Sequence, residues 1–199
     1  MAIRQARVEI AGINPLLVNN PQVVDPFNRY KKLLKPLHAK GQRKTDDDIL
    51  EIGNIEVESK LYFDTELKVY IPASWLMEAT CTTAFQVSKI GRSKMRGGLF
   101  PTESKIKLAY SGMDKVKTID DVVGNPDMRI RMLLPQKAVR IAKDAPIFHD
   151  WSFSTVLEFD DSVIDFPTLK RVIQHASRYG GFGDFRPTFG RATAEVSDV

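Results

Sequence analysis

Arginine, phenylalanine and glycine crowd into one stretch near the C-terminus, Tyr179-Gly-Gly-Phe-Gly-Asp-Phe-Arg-Pro-Thr-Phe-Gly-Arg191. The chemistry open to them is the grip of a polyanion. Arg186 and Arg191 offer planar, permanently charged phosphate clamps. Phe185 offers a face on which a base can stack. Gly180, Gly181, Gly183 and Gly190 permit positive φ and close approach of a foreign backbone. Successive peptide N–H groups in such a loop form a concave anion site. The same residues also suit an ordinary turn between a helix and a last strand, with the phenylalanines in the core.

Basic residues elsewhere could extend such a surface. The net charge is only +4, but it is segregated. Residues 26–45 carry Arg29, Lys31, Lys32, Lys35, Lys40, Arg43 and Lys44 with no acid. Residues 46–66 reverse this with Asp46, Asp47, Asp48, Glu51, Glu56, Glu58, Asp64 and Glu66. Lys89, Arg92, Lys94 and Arg96 fall in a glycine-rich run read as an exposed loop, and Arg129, Arg131, Lys137, Arg140 and Lys143 in an acid-free stretch. Segregated charge makes a local field that a mild total conceals. A polyanion could dock on it, or the acidic segment of one copy could meet the basic segment of the next.

Other chemistry has less to stand on. His38, His149 and His175 suit proton transfer near neutral pH, but no pair has metal-ligand spacing. Asp46, Asp47 and Asp48 read as cap and dipole partners of a helix rather than a metal triad. The single Cys81 leaves no intramolecular disulfide and no cysteine metal cluster. The run at 89–98 lacks the glycine–lysine–serine order of a Walker loop. No cofactor and no metal are expected. No stretch approaches the ~20 apolar residues of a membrane helix, and the N-terminus lacks a signal-peptide core. The expectation is a cytoplasmic protein.

The elements that must position these residues follow from periodicity. Ala6, Val8 and Ile10 alternate with Arg7 and Glu9, which predicts a half-buried strand. Residues 27–40 read as a helix that Pro36 should kink or interrupt. Thr45 with Asp48 is a capping pair for a helix to about Tyr62. Lys68–Pro72 reads as a short strand and residues 73–88 as a core helix carrying Leu76, Thr80, Ala84 and Val87 inward. Lys105–Tyr110 alternates as a strand. Residues 129–134 and 138–143 are two basic strand segments that could form a hairpin. Ser152–Phe159 is strongly β-prone, Pro167 opens a helix running to Tyr179, and Ala192–Val196 closes the chain as a strand. The order is compatible with a β-α-β-β-α-β ferredoxin-like core: an α+β fold with an antiparallel sheet, helices on one face and long insertions. The chain is expected to be one domain, 1–199, with a helical insertion at about 26–62 and a basic hairpin and loop insertion at about 89–143.

At this point two motifs resemble a known family. Gly180-Gly-Phe-Gly-Asp-Phe-Arg-Pro-Thr-Phe-Gly-Arg191 resembles the C-terminal glycine-rich loop of the RAMP superfamily, the RNA-recognition-motif-like proteins of CRISPR effector complexes. Tyr70-Ile-Pro-Ala-Ser-Trp-Leu-Met-Glu-Ala79 resembles its strand–proline–helix signature, and the pattern is also similar to uncharacterised phage-encoded proteins. Ala73 stands where the family often has glycine, and Met77-Glu78 replaces its usual basic residue. The resemblance implies binding of single-stranded RNA or DNA along the backbone, with Gly180, Gly181, Gly183, Gly190, Arg186 and Arg191 approaching phosphates. It also implies a homo-oligomer along the strand, or a subunit of a larger ribonucleoprotein. Some relatives are metal-independent endoribonucleases, which makes His38 the catalytic candidate of a second reading. A third reading is an interaction protein, such as a phage-encoded mimic or inhibitor of a host complex, using the acidic helix 46–62.

Overall fold

The computed structural model describes residues 2–136 and 139–199. In chain order these form β1 (Ile3–Gly12), β2 (Leu16–Leu17), α1 (Arg29–Ala39), α2 (Asp46–Lys60), β3 (Phe63–Asp64), β4 (Lys68–Pro72), α3 (Ser74–Ser88), α4 (Arg92–Gly97), β5 (Leu99–Pro101) and β6 (Lys105–Lys107). There follow α5 (Ile119–Val123), β7 (Arg129–Gln136), β8 (Val139–Phe148), β9 (Ser152–Asp160), α6 (Phe166–His175) and β10 (Ala192–Asp198). They gather into two compact units: Met1–Leu16, Val69–Ser111 and His149–Val199 in the first, Leu17–Lys68 and Gly112–Phe148 in the second.

The first unit is built on a four-stranded sheet of order β10-β1-β9-β5. Each neighbouring pair is antiparallel, with Val8 opposite both Val196 and Thr155, and Leu99 opposite Phe159. Read as β1-α3-β5-β9-α6-β10, this is the ferredoxin-like β-α-β-β-α-β arrangement. The alternation in β1 works as the sequence implies: Ala6, Val8 and Ile10 are buried while Gln5, Arg7 and Glu9 face water. The buried face lies under the apolar sides of α3 (Leu76, Cys81, Ala84) and α6 (Leu169, Val172, Ile173). Asp165 caps α6, its carboxylate accepting the N–H of Thr168 at 2.9 Å, and Pro167 sits in the first turn. The opposite face of the sheet carries Glu9, Glu158 and Glu195 against Arg7, a poor surface for a phosphate backbone.

One expectation here is corrected. Residues 89–98 are not an exposed loop, because 92–97 form the short helix α4. Met95 is fully buried and anchors that turn to the core.

In the second unit, Thr45 and Asp48 make the reciprocal capping box that opens α2. α1 runs on past Pro36 to Ala39, so the proline does not interrupt it. Proline near the end of a helix forfeits one hydrogen bond, and Leu34 and Leu37 on either side are held in an apolar cluster with Tyr30 and Ile55. β7 and β8 form the antiparallel hairpin, with Arg131 opposite Asp144. Among the described residues no helix is long and apolar enough to cross a membrane.

Candidate nucleic-acid interface

The glycine-rich loop follows α6 through a π-helical turn, Ala176–Gly180. Its base is closed by its own backbone. Gly181 N–H donates to Ala176 O at 2.8 Å, Phe182 N–H to Gly190 O at 2.8 Å and Gly190 N–H to Pro15 O at 2.9 Å. The side-chain oxygen of Asn14 accepts the Arg191 N–H at 2.7 Å, and its amide donates to Thr188 O at 2.7 Å. Phe182 is wholly buried and sits edge-on to Phe153 at 5.4 Å and Trp151 at 6.1 Å. Gly190 has φ +74°, and a Cβ there would lie 1.8 Å from the carbonyl oxygen of Phe182. The peptide N–H groups of 181, 182, 190 and 191 are therefore spent on holding the loop, not on cradling an anion.

What the loop turns outward is different. Phe185 takes a left-handed backbone, φ +52°, and keeps 42% of its surface exposed. Arg186 and Arg191 are exposed, and neither forms an ion pair among the described residues. Gly183, at φ +75°, supplies the reversal before Phe185. Gly180 adopts no positive φ; it lies in the π-helical turn against α3, where an added Cβ would come within 3.9 Å of Thr83 Oγ1.

Sequence reasoning missed the side chains that precede the loop. Tyr179 is 65% exposed, its ring 4.6 Å from the imidazole of His175. With Gln174, Arg178, Thr193 and Ala194 they line an open cavity of about 440 Å³ beside β10. The i, i+4 spacing of His175 and Tyr179 was the available signal. Without the widened π turn it reads as ordinary helix surface.

The remaining basic candidates divide by whether a partner already holds them. On α4, Arg92 and Arg96 both donate to the carboxylate of Glu78, so neither cation is unengaged. Lys94 is exposed, and Lys89 lies 5.4 Å over the exposed ring of Phe85. In the second unit, Arg129 Nη2 donates to Asp144 Oδ1 at 3.0 Å, and Arg131 donates through Nε and Nη2 to Asp144 Oδ2 at 3.0 and 2.9 Å. Gly53 of α2 makes room for this pair, since a Cβ there would meet Arg129 Nη2 at 2.7 Å. Lys143 pairs with the buried carboxylate of Glu56. Lys31, Lys32 and Arg140 are exposed. Lys137 lies outside the described residues.

The segregated charge thus has an internal explanation. Basic α1 meets acidic α2 through Arg29–Glu58 at 2.7 Å and Lys40–Asp48 at 2.5 Å. The basic hairpin meets α2 through Lys143–Glu56.

His38, the catalytic candidate, stands on the last turn of α1 and makes no side-chain hydrogen bond among the described residues. Partial burial, then the charge of Lys143, holds its pKa below the ordinary histidine value. Cys81 is buried in α3, and burial pushes its thiol pKa up, opposite to what a reactive thiol needs. Among the described residues no three His, Cys, Asp or Glu side chains gather as a metal site.

No protein-family profile matches the sequence, and no curated protein matches it. Solved structures do. Over 99% of its length the chain is similar to a chain of the type III-B Cmr-beta complex bound to cognate target RNA, at 12% identity and a TM-score of 0.52. It spans 61% of that chain. Over 98% of its length it is also similar to Cmr6 from Pyrococcus furiosus, covering 100% of that protein, at 12% identity and a TM-score of 0.41. The likeness to the Cmr-beta chain is one of fold alone.

Proposed function

We propose that this protein binds single-stranded RNA through the first unit, without catalysis and with little base specificity, as a subunit that assembles along the strand. One observation carries the reading. The loop is pinned by Phe182 and four backbone N–H groups, while Phe185, Arg186 and Arg191 are turned to solvent. A rigid platform that presents an aromatic ring and two guanidinium groups needs little ordering when a strand arrives. Tyr179 and Arg178, at the mouth of the cavity beside β10, extend the same chemistry by one stacking face and one charge. Stacking and phosphate contacts tolerate any base, which gives the low specificity.

The fold shared with a chain of an RNA-bound complex supports RNA over DNA and membership of a larger assembly. The acidic helix offers less to the mimic reading, because Asp48, Glu56 and Glu58 are already paired within the second unit. Lys89 and Lys94 remain available as peripheral phosphate contacts on the first unit.

Fluorescence anisotropy with an end-labelled single-stranded oligonucleotide tests the reading. Phe185→Ala should weaken binding by roughly tenfold or more, the order of one lost stacked base. Equal affinity of variant and parent, with the fold intact by circular dichroism, rejects it.

A further inference from the structure

The second unit contains a cavity that the strand-binding reading does not use. It has a volume of about 500 Å³, within the range of small-molecule sites. Its walls come from two elements. Ile49, Ile52 and Glu56 follow one another at helical spacing along α2, and Ile141 to Asp144 of β8 face them. His38 from α1, Lys44 and Arg131 complete the lining. Ile49 keeps 41% of its surface in water, although the apolar cluster of Leu34, Leu37 and Ile55 belongs to the same helix pair.

The charges have a definite sign. Glu56 and Asp144 are the acids of the lining, and both are spent: Glu56 accepts from Lys143 and from the Asp144 N–H at 2.8 Å, and Asp144 holds Arg129 and Arg131. Lys44 has no acid partner among the described residues, its Nζ donating only to the carbonyl of Gly41 at 2.9 Å. Counting Lys44, Arg131 and Lys143 against Glu56 and Asp144 leaves the wall with one positive charge in excess. The groups facing His38 are Lys31 on its own helix, Lys44 on the following segment, Glu56 on α2, Arg131 on β7, and Lys143 and Asp144 on β8.

We infer that this cavity is a binding site for a small amphipathic anion, its carboxylate or phosphate head beside Lys44 and its apolar body against Ile49, Ile52 and Ile141. An apolar slot explains why Ile49 stands exposed, and Lys44 selects the head group. A bound anion would also sit near His38 and favour its protonated form. This site is independent of the loop: its residues all belong to the second unit.

The test uses the full chain with labelled histidine and decanoate as the probe, kept below its micellar concentration. Decyltrimethylammonium serves as the cationic control, and acetate as the head group alone. Decanoate should shift the His38 imidazole resonances saturably and raise the His38 pKa, while acetate and the cationic amphiphile leave them in place. Lys44→Glu should weaken decanoate by about tenfold without unfolding the protein, and Ile141→Ser by a similar factor. The inference is overturned if decyltrimethylammonium moves His38 as strongly as decanoate does. It is equally overturned if the His38 resonances stay fixed through millimolar decanoate.

Discussion

Arg131 and Asp144 face each other across the β7–β8 hairpin, with Nε and Nη2 of the guanidinium both on Oδ2, at 3.0 and 2.9 Å. Asp144 is 4% exposed and takes Arg129 as well, while its own N–H is held by Glu56 at 2.8 Å. The Asp144 carboxylate is thus the hub that ties β7 to β8, while the Glu56 carboxylate ties β8 to α2. Asp144→Asn keeps the shape but removes the charge that two arginines share. Unfolding by urea should show a loss of roughly 2–3 kcal/mol, the lower part of the range for breaking a buried pair because Arg131 is partly solvated. A loss below ~0.5 kcal/mol would mean that the hub carries no stability.

Gly190 makes the loop a rigid object. At φ +74° with the Phe182 carbonyl in the way of any Cβ, Gly190→Ala must open the Phe182–Gly190 hydrogen bond or distort the turn. Thermal unfolding should show a cost of roughly 3 kcal/mol, and the buried Phe182 ring should lose its fixed environment in aromatic NMR spectra. Parent-like melting would show that the loop does not need this closure.

His38 gives the second unit a pH dependence of defined sign. Its folded pKa lies below its ordinary value of 6.5, first through partial burial and then through Lys143, with Lys44 and Lys31 in the same direction and Glu56 opposed. Protonation is therefore harder in the folded state than in the unfolded one. Stability should be unaffected by this group above pH 6.5, then fall as pH drops from 6.5 through the lower folded value. Denaturant midpoints of His38→Gln against the parent should converge near pH 8 and separate near pH 5, with the variant more stable there. The opposite order at pH 5 would contradict the assignment of causes.

The sheet was legible because its signal is local. Ala6, Val8 and Ile10 alternate strictly, Asp165 and Pro167 mark the start of α6, and Thr45 with Asp48 marks the start of α2. The strand and helix order that follows gives the ferredoxin-like pattern directly. Charge was legible only as composition. The partner of Arg131 is Asp144, one residue past the end of the acid-free stretch and opposite it in the hairpin. Arg92 and Arg96 find Glu78 on the preceding helix, 14 and 18 residues away. A block of like charge therefore suggested an open surface where folding had paired part of it internally. Within the loop, nothing local distinguishes the phenylalanine that fills the core, Phe182, from the one that faces water, Phe185. That choice is made by Trp151 and Phe153, which arrive from β9 and the residue before it.

Binding of a single-stranded RNA measured against salt concentration tests the central claim most directly. Each phosphate contact on a single strand contributes about 0.7 to the slope of log affinity against log salt. With Arg186 and Arg191 both replaced by alanine, the slope should fall by about 1.4 and affinity should drop at every salt concentration. A parent-like slope and affinity in the folded double variant would contradict the account.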